Sequence, residues 1–242
     1  MINFIAKSEE LKKIVKSLSL IKNFFVSSLL IGEESIGKKT LAKHILPQAV
    51  VVSGENLNKL LESLEQSEEL IITDFEKISN YGSLNFDNKR VIATAKYQPK
   101  DIHVDELFGY IYEIKPLRYR LEDAKALAEL FYKEAKETLC LDNDVAFEAN
   151  RLDLSQNGKS LKKYVYKELI QSQMDEKDLL NLMYKYLYDN LEGDNDYKKF
   201  LYLYEKPLLE AGLKRYGSQL KLSAILGINR NTLRKKVNEY GL

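Results

Sequence analysis

Cysteine is almost missing from this 242-residue chain. Cys140 stands alone, which excludes an intramolecular disulfide and a cysteine-ligated zinc cluster and fits a reducing compartment. Histidine is nearly as scarce. His44 and His103 are the only two, and neither has a partner at metal-ligand spacing, so no metal site is expected from them. Long apolar runs are also lacking. The longest, Phe24 to Ile31, contains two serines and falls well short of the roughly 20 residues needed to cross a bilayer; it reads as a buried strand. The first residues lack the apolar stretch and small-residue cleavage site of a signal peptide. The expectation is a cytoplasmic protein without membrane contact.

Charge is plentiful but unevenly placed. The whole chain carries a net +1, yet Gly212 to Leu242 holds seven basic residues against Glu239 alone. The rest of the chain is therefore net acidic. A basic tail on an acidic body is the electrostatic footprint of a nucleic-acid module.

Two short helical patterns in that tail flank a turn at Gly227-Ile228-Asn229. Leu222, Ile225, Leu226, Ile228 and Leu233 are spaced to pack the two helices together. This leaves Arg230, Asn231, Thr232, Arg234, Lys235 and Lys236 to face outward, as the residues of a DNA-reading helix must. The residues Glu205-Lys-Pro-Leu-Leu-Glu210, Ser223-Ala224, Leu226-Gly-Ile-Asn-Arg-Asn-Thr-Leu-Arg-Lys-Lys236 and Tyr240-Gly-Leu242 closely resemble the Fis-type helix-turn-helix, which also ends the NtrC-type bacterial activators. The resemblance implies a homodimer whose second helix enters the major groove of double-stranded DNA. By position it assigns DNA contacts to Asn229, Arg230, Asn231, Thr232, Arg234, Lys235 and Lys236. Ser218, Asn238 and Glu239 depart from the family pattern. Leucines and tyrosines between Leu179 and Tyr204, among them Tyr184, Tyr186 and Tyr188, read as core and dimer contacts.

Upstream, helical and strand patterns alternate, which predicts a parallel α/β sheet. Strands are expected over Phe24–Ile31, Val50–Val52, Leu70–Thr73, Arg90–Thr94 and Tyr110–Ile114. Helices over Glu122–Leu139, Asp144–Arg151 and Ser160–Gln171 are expected to form a small bundle. Between the first strand and the next helix lies Gly32-Glu-Glu-Ser-Ile-Gly37-Lys38-Lys39-Thr40, the G-x-x-x-x-G-K spacing whose backbone N–H groups and lysine cradle phosphates. Lys39 occupies the position where a Ser or Thr would hold magnesium, with Thr40 one step late. Glu33 and Glu34 place two carboxylates in a loop meant for anions. Asp74 ends a strand where a carboxylate can hold magnesium. The following position, suited to an acid that polarises water, is Phe75. Glu76 is displaced by one, and strand alternation would re-aim it.

Taken with Arg90-Val-Ile-Ala-Thr94, Asp105-Glu-Leu-Phe108, Pro116-Leu-Arg118-Tyr-Arg120 with Glu122-Asp123, and Asn157-Gly-Lys159-Ser-Leu161, these segments resemble, in order, the AAA+ module of NtrC-type sigma-54 activators. The resemblance implies an α/β P-loop (AAA+-like) domain at residues 1–118, a helical lid at 119–172, and an all-α Fis-type dimerisation and helix-turn-helix domain at 173–242. It implies ATP or ADP with Mg2+ as ligand, bound by Gly32, Gly37, Lys38, Lys39, Thr40, Asp74 and Lys159. Only 36 residues separate Gly37 from Asp74, and the family's G-A-F-T-G-A loop does not occur among them. No arginine finger is visible. The expectation is therefore a degenerate ATPase with no catalytic residue, serving a nucleoid-associated bacterial transcription regulator with RNA polymerase as a further partner. A Fis-like architectural nucleoid protein and an ATP-hydrolysing sigma-54 activator are the alternatives.

Overall fold

The computed structural model describes residues 4–141 and 151–242. The chain divides into two compact units, Met1–Gln173 and Met174–Leu242. The helix expected over 144–151 falls almost wholly outside the described residues.

The N-terminal unit opens with α1 (Glu9–Ile21), whose Leu11, Ile14 and Leu18 share one buried face. Five strands follow: β1 (Ser28–Ile31), β2 (Val50–Ser53), β3 (Glu69–Thr73), β4 (Arg90–Ala95) and β5 (Tyr110–Glu113). They form one sheet in the order β2-β3-β4-β1-β5, and each pairing is parallel. Strands so placed are covered on both faces, which is why Leu29, Leu30, Leu70, Ile71 and Ile72 are all fully buried. Each such side chain contributes about 1.5–3 kcal/mol. The intervening helices are α2 (Lys38–Ile45), α3 (Leu57–Gln66) and α4 (Ile102–Leu107).

The first strand is shorter than the apolar run predicts. Phe25 takes a left-handed φ of 53°, which breaks the extended chain, and Phe24 and Phe25 are 72% and 43% exposed. The helical lid consists of α5 (Leu121–Thr138) packed on α6 (Gly158–Ser172), around Ala124, Ala128, Leu161, Val165 and Leu169.

The C-terminal unit contains α7 (Glu176–Asn190), α8 (Asp196–Phe200), α9 (Tyr202–Tyr216), α10 (Gln219–Leu226) and α11 (Arg230–Tyr240). Its core is a triangle of α9, α10 and α11 built on Leu209, Leu222, Leu233 and Val237. A Cβ at Gly212 would lie 2.5 Å from Leu222 Cδ1, so glycine there lets α9 and α10 meet closely. Gly227 ends α10 at φ 64°, the left-handed cap that glycine adopts without penalty.

Two side-chain placements differ from those expected of the sequence. Ile225 is 49% exposed, because Leu222 and Leu226 already occupy the inward face one helical turn apart and Ile225 sits about 100° round the helix from Leu226. The leucines and tyrosines of α7 are not core: none of its residues is buried.

Candidate functional site

Two sites emerge, one in each unit. In the N-terminal unit, β3, β4 and β1 are neighbours, so the segments leaving their C-terminal ends converge. These segments carry Asp74, Lys96 and the phosphate loop. Ligands of open parallel sheets bind beyond these strand ends. A cavity of about 840 Å³ lies there, lined on its polar side by Gly37, Lys38, Lys39, Thr40, Asp74, Glu76, Thr94, Lys96, Arg120 and Lys159, and on its apolar side by Phe4, Ile5, Leu127, Leu130 and Phe131. Six of the seven nucleotide-site residues read from sequence therefore line one cavity. Gly32 acts through its backbone: its carbonyl accepts a hydrogen bond from Lys38 Nζ at 2.5 Å. Lys38 also donates to the Glu33 carbonyl at 2.7 Å. Burial holds the Lys38 ammonium below its usual range, against the pull of Glu76 and Glu34.

The two loop carboxylates are both paired. Glu33 accepts two hydrogen bonds from the Arg118 guanidinium, at 2.9 and 2.5 Å, and a third from Asn157 Nδ2 at 3.0 Å. Those bonds, the Arg118 ones foremost, hold its carboxyl at about 2. Glu34 pairs with Lys96 at 2.5 Å. Asn157, 2% exposed, fastens the lid to the loop. It donates to the Glu34 carbonyl at 3.0 Å and accepts from the Leu117 amide at 2.9 Å.

A further pair, Arg120 and Asp123, lies on the cavity wall. The Asp123 carboxylate accepts from the Ser8 amide at 2.9 Å, the Ser8 hydroxyl at 2.6 Å, the Lys7 amide at 2.5 Å and Arg120 Nη1 at 3.0 Å. Arg120 in turn donates to the Ile36 carbonyl of the loop at 3.2 Å.

The expectation that a one-residue shift turns Glu76 away from the site is not met. Asp74 takes a left-handed φ of 52° and starts a single turn of tight helix over Phe75–Lys77, so strand alternation ends before it. Phe75 is driven into the core, fully buried, and Glu76 returns to the cavity wall. One of its carboxylate oxygens, Oε2, is buried without a hydrogen-bond partner among the described residues. Glu76, Lys96, Thr94 and Arg120 join the site without having been assigned to it from sequence. Among the described residues there is no cluster of three or more His, Cys, Asp or Glu side chains able to hold a metal ion. Asp74, Glu76 and Thr40 are among the oxygen-bearing residues on the cavity wall.

In the C-terminal unit, α11 begins at an N-cap where Asn229 Oδ1 accepts from the Asn231 amide at 2.8 Å. That bond fixes the helix entry, so the Asn229 oxygen serves the cap. Arg230, Asn231, Thr232, Arg234 and Lys235 are exposed, whereas Leu233 and Val237 are buried. Lys236 departs from the expectation of an outward cation. Its ammonium lies 2.5 and 2.6 Å from the two Glu205 carboxylate oxygens, because position 236 falls on the side of α11 that faces α9. The Tyr240 hydroxyl donates to the same carboxylate at 2.6 Å.

Residues 201–240 match the profile of the Fis family of bacterial regulatory proteins. The DNA-binding protein Fis of Buchnera aphidicola is 39% identical over 70 residues, 27% of this chain and 70% of that protein. A Fis-like protein of Ralstonia nicotianae is 44% identical over 59 residues, 23% of this chain and 77% of that protein. The fold resembles that of NtrX from Brucella abortus crystallised with ADP, with a TM-score of 0.58 at 14% identity, over 99% of this chain and 70% of that one. A variant of RuvB from Thermotoga maritima gives a TM-score of 0.51 at 18% identity, over 96% of this chain and 85% of that one.

Proposed function

This chain belongs, through its C-terminal segment, to the Fis family of bacterial regulatory proteins, and on that premise we propose a dimeric, sequence-specific transcriptional regulator whose N-terminal unit binds a nucleotide with little turnover. The observation that carries the DNA-binding part is the exposed row Arg230, Asn231, Thr232, Arg234 and Lys235 on a capped helix backed by a tight turn. Mapping the sites that the chain occupies across its genome tests it. Occupancy of a few promoters supports a regulator; uniform coverage would replace it with the architectural reading.

The nucleotide part rests on a phosphate loop between β1 and α2 and a cavity with Lys38, Lys39, Lys96 and Lys159 on its walls. In this reading Thr40 and Asp74, oxygen donors suited to a hard cation, hold the magnesium ion that accompanies the phosphates. Lys38 exchanges its two backbone carbonyls for phosphate oxygens. Lys38→Ala is expected to weaken ADP and ATP binding about tenfold or more, the worth of a charged hydrogen bond, as read by titration calorimetry. Phosphate release should stay near background in both proteins. Turnover like that of ordinary AAA+ enzymes, abolished by Lys38→Ala, would refute the inactive reading and favour Glu76 as the acid that replaces Phe75.

Dimerisation rests on α7. Leu179, Leu182 and Tyr186 share one side of α7 and are 45–58% exposed, apolar area that a single chain leaves in water and a second copy would cover. The full chain is expected to sediment as a dimer at micromolar concentration, and Leu182→Asp as a monomer with an unchanged circular dichroism spectrum. A wild-type monomer would count against the proposal.

A further inference from the structure

Lys236 lies in the basic run of α11, beside Arg234 and Lys235, yet it does not share their surroundings. Its side chain is 28% exposed and that of Glu205 is 17% exposed. Both carboxylate oxygens of Glu205 contact its ammonium, and the Tyr240 hydroxyl, one turn further along α11, donates to Oε2 of the same carboxylate. A pair so placed is screened by salt less than a surface pair. Moving Lys236 to a DNA phosphate would strand the Glu205 charge, half-buried and close to a polyanion. Only the Tyr240 hydroxyl would then hold that carboxylate, so the move to phosphate is opposed by the loss of the ion pair.

We propose that Glu205 and Tyr240 withhold Lys236 from DNA, so that α11 meets the duplex one cation short and its affinity for DNA of arbitrary sequence is kept down. This inference rests on the reading of α11 as the DNA-binding helix. A phosphate contact strengthens binding to every sequence alike. Withholding one lowers the non-specific background without touching Arg230, Asn231 and Thr232 at the groove-facing start of the helix. Glu205 is thus a specificity-determining residue that acts through Lys236. The same clamp fixes the angle of α11 against α9.

The test uses the full chain and a mixed-sequence duplex, with affinity measured over a salt series. Each phosphate contact contributes about 0.9 to the slope of log affinity against log salt. Glu205→Gln keeps the shape of the carboxylate and an acceptor for Tyr240 but removes the charge. It is expected to steepen the slope by about 0.9 and tighten binding several-fold. Lys236→Met alone would leave the Glu205 charge unpaired near the DNA, so the charge-neutral double variant Glu205→Gln, Lys236→Met is the reference. It is expected to keep the wild-type slope, which separates a freed lysine from the mere loss of an anion. A slope in the double variant steeper or flatter than the wild-type slope, or no steepening in Glu205→Gln, would each overturn the inference and leave DNA binding intact. If Glu205→Gln does not fold, the double variant decides alone, since a flatter slope there means that Lys236 already meets a phosphate. A wild-type chain that binds no DNA would overturn the DNA-binding reading and this inference together.

Discussion

Asp123→Ala is expected to destabilise the N-terminal unit by about 3–5 kcal/mol, the cost of breaking a buried ion pair by removing one partner. Asp123 is 2% exposed and Arg120 is 5% exposed. Truncation would leave the Arg120 guanidinium charged in a buried place, and would also orphan the amide donors of Lys7 and Ser8. Those donors tie the start of α1 to α5, so the loss is felt by the sheet face that α1 covers and not only by the lid. Urea denaturation followed by circular dichroism should register it, and a shift under 1 kcal/mol would contradict the account. The same group gives a pH dependence. Burial pushes the Asp123 carboxyl up, but the hydrogen bonds from Ser8 and Lys7 and the Arg120 charge outweigh it and hold the group below its ordinary value. A carboxyl lowered by folding stabilises the fold above its unfolded pKa, and that stability drains as pH falls through the folded value. Wild-type stability should therefore decline on acidification below the ordinary carboxylate range. Asp123→Asn should start lower and decline less.

The parts of this protein legible in its sequence are those that local pattern encodes. Gly32, Gly37 and Lys38 announce a phosphate loop because backbone convergence on phosphate demands that spacing. Gly227 with the leucines around it announces a helix-turn-helix. Strand order could not be read in that way, but alternation of strand and helix did give the parallel sheet. The illegible parts are pairings between distant residues and departures from periodicity. Nothing near Glu33 says that Arg118, 85 positions away, neutralises it and that Asn157, 124 positions away, donates a hydrogen bond to it. Strand alternation sends Glu76 away from the cavity only if the strand continues. The left-handed Asp74 ends it, and a left-handed aspartate carries no mark in a single sequence. Lys236 looks like its basic neighbours until α9 is laid against α11 and Glu205 comes within reach. Helical spacing alone could have raised the question, since positions 233, 236, 237 and 240 share one side of α11 and two of them are buried.

With Lys236 held by Glu205, the exposed cations of α11 are Arg230, Arg234 and Lys235. Arg230, Asn231 and Thr232 occupy the first turn, where a recognition helix penetrates the groove most deeply. Arg234 and Lys235 follow, are exposed, and point in directions about 100° apart round the helix, so on the proposed reading of α11 they are the cations placed to meet flanking phosphates. Arg230→Ala is expected to cost about 1–3 kcal/mol of discrimination at the base pair it contacts, roughly 5- to 150-fold in affinity for a selected site, with a far smaller loss on scrambled DNA. Lys235→Ala should weaken binding to both duplexes alike and flatten the salt slope by about 0.9. The two variants thus separate base reading from phosphate anchoring in one experiment: affinity for a site selected from a random pool and for its scrambled counterpart, each over a salt series. Leu233 and Val237 lie on the buried side, so neither substitution should disturb folding, and an unchanged circular dichroism spectrum would confirm that. If Arg230→Ala and Lys235→Ala both bound the selected site like the wild type, α11 would not be the DNA-reading helix, and the regulatory function built on it would fall.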